Sequence, residues 1–462
     1  MSPDLHVVVL AAGQGTRMKS SLPKVLHPVA GRPMIQHVLT AARAATPASI
    51  VLVVGHRADL VESQLSGEGV RFALQSPQLG TAHALQQAEP LLAGCSGTVI
   101  LLSGDVPLLK PATLGRLLDA HRQAGAAATV VTAIVDRPYG YGRIVRTDGR
   151  LARIVEERDA TPAERQIKEI NGGIYAFDLG PLFESLRGIA SQNAQGEYYL
   201  TDLIGIYRRK KLPVETLVVE DPVEIRGINS RTELAEVSRL VRQNKNEELM
   251  AAGVTIIDPA TTYVDPDVQV GADTVIHPGV IIEGRTRIGS MCEIQAHVRI
   301  ADCEIGDRVR INNFCLLTGA HVAQDATVGP FAHIRPETGV GEGAKIGNFV
   351  ELKKTSLGAG SKVSHLAYLG DAEIGADVNI GAGTIVCNYD GEKKQRTVIE
   401  DGAFIGSDTQ LIAPVTVGRG AYVGTGTTVR ESVPPGALAV SAGKQRNIEG
   451  WVERKRTPPV AP

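Results

Sequence analysis

The segment Leu10–Met18, Leu-Ala-Ala-Gly-Gln-Gly-Thr-Arg-Met, contains residue types that can hold phosphate groups. Its small residues let backbone N–H groups approach phosphate oxygens, and Arg17 and Lys24 supply positive charge. The spacing matches neither common phosphate motif. Met18 precedes Lys19-Ser20 where a Walker loop needs Gly, and it replaces the third Gly of a dinucleotide fingerprint. The segment therefore predicts either a polyphosphate loop of another type or a structural turn.

Two further segments carry polar groups directly after apolar runs. Asp105, in Ser103-Gly104-Asp105, is suited to hold Mg²⁺ on phosphate oxygens, although Asp is also a common turn former and helix cap. The amide and hydroxyl groups of Gln75–Ala82 can read the edge of a base, and taken alone this segment is a helix start. Together with the glycine segment they suggest nucleotide chemistry.

The elements that position these segments alternate between strands and helices. Apolar runs at Val7–Leu10, Ile50–Val54 and Thr98–Leu102 predict strands, and Pro33–Ala44 and Thr81–Leu92 predict helices. This alternation predicts a mainly parallel sheet that binds ligands beyond the carboxyl ends of its strands. Farther along, Ser230-Arg231-Thr232-Glu233 is a capping box, and the apolar spacing after it predicts one helical arm.

From about Val264 to Val429 an aliphatic residue occurs at nearly every sixth position. This period fits neither a helix nor an ordinary strand, and it predicts a solenoid of triangular coils with each aliphatic residue pointing inward. The small residue that often follows the aliphatic one is expected to let the chain turn at each corner of the coil. The repeat is interrupted once, between Val386 and Ile399, by the polar segment Cys387–Lys394, which is either a binding element or a tolerated surface insertion.

Composition narrows the functional classes. The chain has 462 residues and a formal net charge of −2, so no global basic field favours nucleic acid. No apolar run is long enough to span a bilayer, and the expected location is the cytoplasm. The five cysteines are scattered, without the paired spacing of zinc or redox sites.

The three amino-terminal segments together resemble the sugar-nucleotide pyrophosphorylases. With the solenoid, the chain from Val7 to Trp451 resembles the bacterial bifunctional N-acetylglucosamine-1-phosphate uridyltransferase and glucosamine-1-phosphate N-acetyltransferase family. The resemblance implies an α/β Rossmann-like nucleotidyltransferase domain over 1–229, a helical linker over 230–252 and a left-handed parallel β-helix (hexapeptide repeat) acetyltransferase domain over 253–462.

The resemblance also implies two reactions. Acetyl transfer from acetyl-CoA to glucosamine 1-phosphate would be followed by uridylyl transfer from UTP to N-acetylglucosamine 1-phosphate. The products would be pyrophosphate and UDP-N-acetylglucosamine, a precursor for peptidoglycan and lipopolysaccharide. The implied cofactor is Mg²⁺, and the implied assembly is a homotrimer.

Residue roles follow from the same resemblance. His365 would be the base of acetyl transfer, Lys24 the catalytic cation of uridylyl transfer, and Asp105 and Asn229 the Mg²⁺ ligands. The residues implied for nucleotide and sugar binding in the uridyltransferase are Leu10, Ala11, Ala12, Gly13, Arg17, Lys24, Gln75, Gly80, Thr81, Ser103, Gly104, Asp105, Gly142, Glu156, Asn171, Thr201 and Asn229. Those implied for the acetyltransferase are Arg335, Lys353, Tyr368 and Asn379 for the sugar phosphate, and Ala382, Asn388, Tyr389, Lys394, Ser407, Thr425, Ala442 and Arg446 for acetyl-CoA.

One position departs from the family pattern. Ala442 stands where the family commonly has an Arg that meets a CoA phosphate, and Lys444 or Arg446 can replace that charge.

Two other functions are alternatives to the bifunctional enzyme. One is a pyrophosphorylase whose solenoid serves only as a trimerising scaffold, which would need neither His365 nor the polar insertion. The other is a sugar-nucleotide sensor without turnover, which is disfavoured by the presence of Lys24 and Asp105.

Overall fold

The computed structural model describes residues 4–441, 443, 447–449 and 451–452. The chain divides into two compact units, one up to Arg242 and one from Gln243 onwards. The strands of the first unit are β1 Leu5–Leu10, β2 Pro28–Val29, β3 Arg32–Pro33, β4 Ser49–Val54, β5 Arg71–Leu74, β6 Thr98–Ser103, β7 Ala128–Ile134, β8 Arg143–Thr147, β9 Arg150–Val155, β10 Glu169–Asp178 and β11 Val214–Val218. The α-helices of the described residues are α1 Met34–Ala44, α2 Ala58–Gln64, α3 Thr81–Gln86, α4 Pro111–Gln123, α5 Leu179–Leu186, α6 Asp202–Arg209 and α7 Arg231–Ala251.

The main sheet of the first unit has the strand order β11-β7-β10-β6-β1-β4-β5, with β8 and β9 joined at β10. In β1, Val7 and Val9 belong to one hydrophobic core and Val8 to another, so both faces of the strand are buried. Burial on both faces explains why this strand reads as a continuous apolar run rather than an alternating one. The three predicted strands are confirmed. The predicted helix Thr81–Leu92 instead ends at Gln86, and a separate 3₁₀ turn covers Glu89–Leu92.

The sheet is mixed, because β10 is antiparallel to both β6 and β7. The antiparallel β8–β9 pair precedes β10 in the chain, and antiparallel neighbours need no crossover helix. The reversal brings the start of β10 to the carboxyl end of β6, where a Cβ added at Gly173 would lie 3.6 Å from Ser103 Oγ. Residues near Asn171 therefore reach the same sheet edge as the segments after β1 and β6.

The second unit is a left-handed parallel β-helix whose short strands form three sheets, called here the first, second and third faces. The first face contains Thr255–Ile256, Val275–Ile276, Glu293–Ile294, Arg310–Ile311, Thr327–Val328, Lys345–Asn348, Lys362–His365, Asn379–Ile380, Phe404–Ile405, Tyr422–Val423 and Leu438–Ala439. The second contains Tyr263–Val264, Ile281–Glu283, Arg299–Ala301, Leu316–Thr318, His333–Ile334, Glu351–Lys353, Tyr368–Gly370, Ile385–Cys387, Gln410–Ile412 and Thr428–Val429. The third contains Gln269–Val270, Arg287–Ile288, Glu304–Ile305, Ala320–Val322, Thr338–Val340, Ser356–Leu357, Ala372–Ile374, Thr397–Ile399 and Val415–Val417.

The predicted inward residues form one continuous core, which confirms the period of six. Ile276, Ile294 and Ile311 are fully buried and stack in register, whereas Val270 is only partly buried. Each buried aliphatic side chain contributes roughly 1.5–3 kcal/mol, and neighbouring coils share the contacts.

The small residue after each inward position has a different role from the one predicted. A Cβ added at Gly358 would lie 2.3 Å from the backbone of Gly375 in the next coil. The corner itself turns farther along, at residues with positive φ such as Phe331 (φ 55°) and Phe349 (φ 56°). Small residues are therefore needed for close stacking of the coils rather than for the turn.

Helix α7 begins at the predicted capping box. The backbone N–H of Glu233 donates to Ser230 Oγ at 3.2 Å, and that of Ser230 donates to Glu233 Oε2 at 3.0 Å. Val237 packs in a small core with Val29 and Met34. Within the described part of the chain, no helix combines the length and apolar character needed to cross a membrane.

Candidate active sites

The glycine segment after β1 forms a tight loop against Lys24. Gly15 has a φ of 62°, and a Cβ added there would lie 2.7 Å from Lys24 Cβ, so both backbone conformation and space require glycine. A Cβ added at Gly13 would meet nothing within 4 Å, which leaves open space beside its backbone. The loop therefore offers exposed backbone next to a cation. Arg17 is exposed on the following 3₁₀ turn, Thr16–Met18.

Lys24 Nζ contacts two oxygens brought from distant parts of the chain. It forms an ion pair with Asp105 Oδ2 and donates to Asn229 Oδ1 at 2.7 Å. The Lys24 and Asp105 side chains are 14% and 21% exposed, so the pair is largely withdrawn from bulk water. Gly227 lies against the same carboxylate, since its added Cβ would be 3.5 Å from Asp105 Oδ2. Lys24, Asp105 and Asn229 therefore form a compact charged centre at the edge of the sheet.

The donor set at this centre suits a divalent cation. Because both oxygens contact one ammonium, they converge on a single cationic position. A carboxylate and an amide oxygen are ligands that Mg²⁺ accepts, with phosphate and water oxygens completing its octahedron. No group of three or more His, Cys, Asp or Glu suited to a metal occurs in the described residues, so an all-protein metal cage is absent there.

Gln75 and Gly80 line a cleft that also contains Lys24 and Asp105. The Gln75 side chain is buried, and its Nε2 donates to the Gly80 carbonyl at 3.0 Å. Gly80 has a φ of 109°, and an added Cβ would lie 2.6 Å from the Tyr198 carbonyl oxygen. Thr81 Oγ1 accepts from the Leu200 N–H at 3.1 Å. The cleft has a volume of about 500 Å³, and its lining includes Leu10–Gln14, Lys24, Gln75, Gly80, Thr81, Ser103 and Asp105.

The four residues expected to hold a sugar meet at a neighbouring position. Thr201 Oγ1 donates to Glu156 Oε1 at 3.1 Å, and the Asn171 N–H donates to the Gly142 carbonyl at 2.9 Å. A Cβ added at Gly142 would lie 3.6 Å from Glu156 Oε1 and 3.5 Å from Asn171 Cβ. Glu156 and Thr201 also line a second cleft of about 490 Å³. The structure therefore brings all four together.

Two of these residues lie at irregular points of the sheet. Glu156 lies just beyond the end of β9. Asn171 lies in β10, where pairing with β7 is irregular. Asn171 Nδ2 donates to the Tyr175 hydroxyl at 2.7 Å, which fixes its amide. The irregularity explains how a glycine pair follows Asn171 inside a strand.

Burial is the main cause of a raised pKa at Glu156. The hydrogen bond from Thr201 opposes this shift, while the nearby carboxylates of Asp159, Asp202 and Glu197 increase it. Burial likewise raises the pKa of the Tyr175 phenol, with Glu156 adding to the effect. The pocket beside Glu156 therefore disfavours extra negative charge and suits neutral hydroxyl and amide groups.

In the β-helix, several expected residues form one column on the corner between the first and second faces. Each lies two residues after an inward aliphatic residue, and those aliphatic residues stack in register from coil to coil. This corner column contains Asn348, His365, Ala382, Ser407 and Thr425. His365 Nδ1 lies 2.5 Å from Asn348 Oδ1. His365 therefore shares one edge with three residues expected to bind acetyl-CoA.

A second group lies at the end of the second face, in the column that contains Arg335 and Lys353. Arg335 Nη1 pairs with Glu351 Oε1 at 2.8 Å. Lys353 is the main cause of a lowered pKa at Lys394, because two ammonium groups lie close together. A Cβ added at Gly370 would lie 2.5 Å from the Tyr368 hydroxyl and 2.8 Å from Asn388 Nδ2. This second group is rich in positive charge.

The polar insertion is a compact loop between Cys387 and Thr397. Asp390 accepts from Lys393 N–H at 2.8 Å and from Gln395 Nε2 at 2.9 Å. These hydrogen bonds, that from Gln395 foremost, lower the pKa of Asp390 to about 2. Tyr389 is 61% exposed, and Asn388 donates to Asp371. Asn388, Tyr389 and Lys394, which are expected to bind acetyl-CoA, lie in this loop beside the second group.

Asn379 is on the outer side of the first face, in register with Lys362 and Phe404. Ala442, Lys444 and Arg446 lie outside the described residues.

Several contacting residues were not predicted from the sequence. Glu351 pairs with Arg335, Asp371 holds Asn388, and the Glu233 carboxylate accepts from the Asn229 N–H at 2.5 Å. Glu233 carried a recognisable signal, since a capping-box Glu reaches back toward the residues before its helix. The other two become recognisable only once the coils are aligned.

Comparisons with known proteins agree with this two-part architecture. Residues 7–169 match the family described as MobA-like NTP transferase domain, and residues 396–431 match the family described as bacterial transferase hexapeptide (six repeats). The chain is 54% identical over 451 residues to Bifunctional protein GlmU of Trichlorobacter lovleyi, covering 97% of this chain and 98% of the relative. It is 52% identical over 450 residues to the protein of that name from Pelobacter propionicus, again covering 97% and 98%. The similarity therefore spans both units.

Proposed function

Because the chain belongs to the bifunctional GlmU family, we propose that its two catalytic reactions use the residues of the two sites described above. The protein is a transferase with both acetyltransferase and uridyltransferase activity. It transfers acetyl from acetyl-CoA to glucosamine 1-phosphate, and then uridylyl from UTP to N-acetylglucosamine 1-phosphate. The products are UDP-N-acetylglucosamine, which serves peptidoglycan and lipopolysaccharide precursor synthesis, and pyrophosphate.

In uridylyl transfer, the loop Leu10–Gly13 and Lys24 hold the triphosphate while the sugar phosphate attacks the α-phosphorus. Both reactants are anionic, so positioning and charge neutralisation supply most of the catalysis. Asp105 and Asn229 would hold Mg²⁺, which neutralises phosphate charge when bound. Their convergence on Lys24 supports this assignment and is the observation that carries it. Lys24 contributes its positive charge to binding of the phosphates.

The acceptor sugar is oriented by Gly142, Glu156, Asn171 and Thr201. Glu156 accepts a hydrogen bond from Thr201 and retains acceptor capacity for a sugar hydroxyl or amide. In the first cleft, which also contains Lys24 and Asp105, Gln75, Gly80 and Thr81 contact uracil. The fixed Gln75 amide supports this role, since its Nε2 is already bonded to Gly80.

In acetyl transfer, His365 accepts the proton from the amine of glucosamine 1-phosphate. A base at this step contributes roughly 10²- to 10⁴-fold in rate. Arg335, Lys353 and Lys394 hold the sugar phosphate, with Tyr368 and Asn379 as further sugar contacts. Ala382, Ser407 and Thr425 line the path of acetyl-CoA along the corner column.

The β-helix assembles as a homotrimer. Support comes from an exposed aromatic ladder beside the corner column, in which the rings of His297, Phe314, Phe331 and Phe349 stack at centroid distances of 5.2, 5.1 and 5.2 Å. Phe314, Phe331 and Phe349 are 51%, 47% and 55% exposed, an apolar surface suited to burial against another subunit. The neighbouring subunit supplies the other wall of the acetyltransferase site.

The enzyme works in the cytoplasm, where its free cysteines stay reduced. Its functional domains are 1–229 and 253–462, joined by the linker 230–252.

The test of this function uses glucosamine 1-phosphate, acetyl-CoA, UTP and Mg²⁺ with each omitted in turn, and identifies products by mass spectrometry. UDP-N-acetylglucosamine is expected only in the complete mixture. If it forms solely when N-acetylglucosamine 1-phosphate is added ready-made, the β-helix is a scaffold rather than an acetyltransferase.

A further inference from the structure

We infer that Asn348 is a positioning residue that holds His365 in the tautomer and orientation required for acetyl transfer. The inference rests on the proposed role of His365 as the base. Asn348 is not among the residues singled out from the sequence, and its proposed role concerns the proton on His365 Nδ1.

Asn348 and His365 are connected through both backbone and side chain. They are paired in register on adjacent strands, Lys345–Asn348 and Lys362–His365. The Leu366 N–H donates to the Asn348 carbonyl at 3.0 Å, which anchors the turn that carries His365. His365 Nδ1 and Asn348 Oδ1 are 2.5 Å apart. Since His365 is exposed, this side-chain contact is a principal restraint on its ring.

The chemistry of an amide oxygen fixes the direction of this hydrogen bond. Asn348 Oδ1 can only accept, so His365 Nδ1 must carry a hydrogen and donate it. In the neutral imidazole the free lone pair is then on Nε2. During the reaction the amine nitrogen bonds to the acetyl carbonyl carbon, Nε2 accepts a proton from that nitrogen, and the C–S bond breaks to release the CoA thiolate. Asn348 stabilises the resulting imidazolium by continuing to accept from Nδ1.

The same column provides a matched control. Asn313 also follows an inward residue of the first face by two positions, but its Nδ2 donates to the backbone carbonyl of Ala296 at 3.5 Å. Asn313→Ala therefore removes an identical side chain from the same corner without touching His365.

The experiment compares Asn348→Ala, Asn348→Asp, Asn313→Ala and His365→Ala in the full-length protein. Acetyl transfer is measured from pH 6 to 9.5, and uridylyl transfer is measured in the same preparations. Asn348→Ala is expected to lower kcat of acetyl transfer about tenfold or more, the scale on which orienting partners act. Asn313→Ala should leave kcat unchanged, and uridylyl transfer should be unaffected in every variant.

Asn348→Asp distinguishes proton positioning from simple packing. Its carboxylate still accepts from Nδ1, so kcat at high pH should stay within about threefold of the parent, whereas its negative charge favours the protonated ring. The acid limb of the kcat/KM profile should therefore move to higher pH. Alanine and aspartate variants that behave alike, with unshifted profiles, would overturn the inference.

His365→Ala separates this inference from the proposed function. Full acetyl transfer by His365→Ala would remove His365 as the base and defeat both. Loss of acetyl transfer in His365→Ala, together with an unchanged rate in Asn348→Ala, would defeat only the role of Asn348.

Discussion

The carboxylate of Glu233 joins helix α7 to the centre around Lys24, because its Oε2 accepts from the backbone N–H of Asn229 at 2.5 Å and from that of Ser230 at 3.0 Å. The side chain of Asn229 in turn accepts from Lys24 at 2.7 Å. A residue that caps a helix therefore also fixes the loop that presents an expected Mg²⁺ ligand.

Glu233→Ala should consequently impair uridylyl transfer without touching substrate directly. Loss of the cap is expected to cost about 1 kcal/mol of helix stability. Freedom of the Asn229 loop should lower uridylyl kcat about tenfold, the order of effect found for groups that orient ligands. Glu233→Gln retains a capping side chain and should recover most of the rate. Steady-state assays of both reactions check this, with Glu247→Ala, at an exposed position of the same helix, as the control. An equal fall in acetyl transfer would indicate general damage instead.

Lys24→Ala should lower uridylyl transfer by at least about 100-fold, since it removes a donor from a site of developing charge. Acetyl transfer in the same preparation should persist. Lys19→Ala removes an exposed lysine near the glycine loop and serves as the comparison. Near-normal turnover of Lys24→Ala would refute the assignment.

The raised pKa of Glu156 predicts a pH-dependent stability difference between the parent and Glu156→Gln. Burial raises this pKa above 4.5, so the folded state favours the protonated carboxyl. The stabilising contribution of that proton is present below the unfolded-state pKa and is lost as pH rises through the folded-state value. Glu156→Gln should therefore match the parent near pH 4 and become the more stable protein toward neutral pH. Urea unfolding at a series of pH values measures this, and a difference independent of pH would contradict it.

Lys394 can be tested for contact with glucosamine 1-phosphate or with acetyl-CoA. Its proximity to Lys353 predicts that Lys394→Ala raises KM for glucosamine 1-phosphate about tenfold, because a phosphate is best held where cations converge. KM for acetyl-CoA should change little. The adjacent exposed Lys393→Ala controls for loop charge. A rise in KM confined to acetyl-CoA would instead return Lys394 to the CoA site.

Close stacking of the coils predicts that two glycine-to-alanine substitutions differ in their effect on the stability of the β-helix. Gly358→Ala would force a methyl group to 2.3 Å from the Gly375 backbone, and it should destabilise the β-helix by about 1–3 kcal/mol. Gly339→Ala meets nothing within 4 Å and should be nearly neutral. Thermal unfolding of the two variants, followed by circular dichroism, compares them. Equal melting temperatures would show that the coils can separate to admit a methyl group.

The sequence predicted the features that depend on local periodicity. The six-residue spacing identified the inward residues of the β-helix, and the apolar runs identified the strands that end at Leu10, Val54 and Ser103. The antiparallel direction of β10 escaped prediction, because strand direction depends on pairing with β6 and β7 over a long sequence separation. The α/β and β-helix fold class is confirmed, and so is the family.

Contacts between side chains that are distant in the sequence were harder to predict. Asp105 and Asn229 are far apart in sequence, and their convergence follows from the hydrogen bond between the Ile228 N–H and the Asp105 carbonyl at 3.0 Å. Glu351 meets Arg335 only because successive coils align them. Such contacts depend on three-dimensional register, which composition and spacing do not encode.

The loop after Cys387 also bears on how such a protein can change. Ile374 still pairs with Ile399 and Val386 with Leu411, so the stack continues unbroken on both sides of the detour. The inserted residues loop out at a corner, and the next strand then pairs in the same register as before. The following coils therefore need no adjustment. Corners of a β-helix are thus natural grafting points, where a recognition loop can be lengthened, shortened or exchanged while the supporting scaffold remains the same.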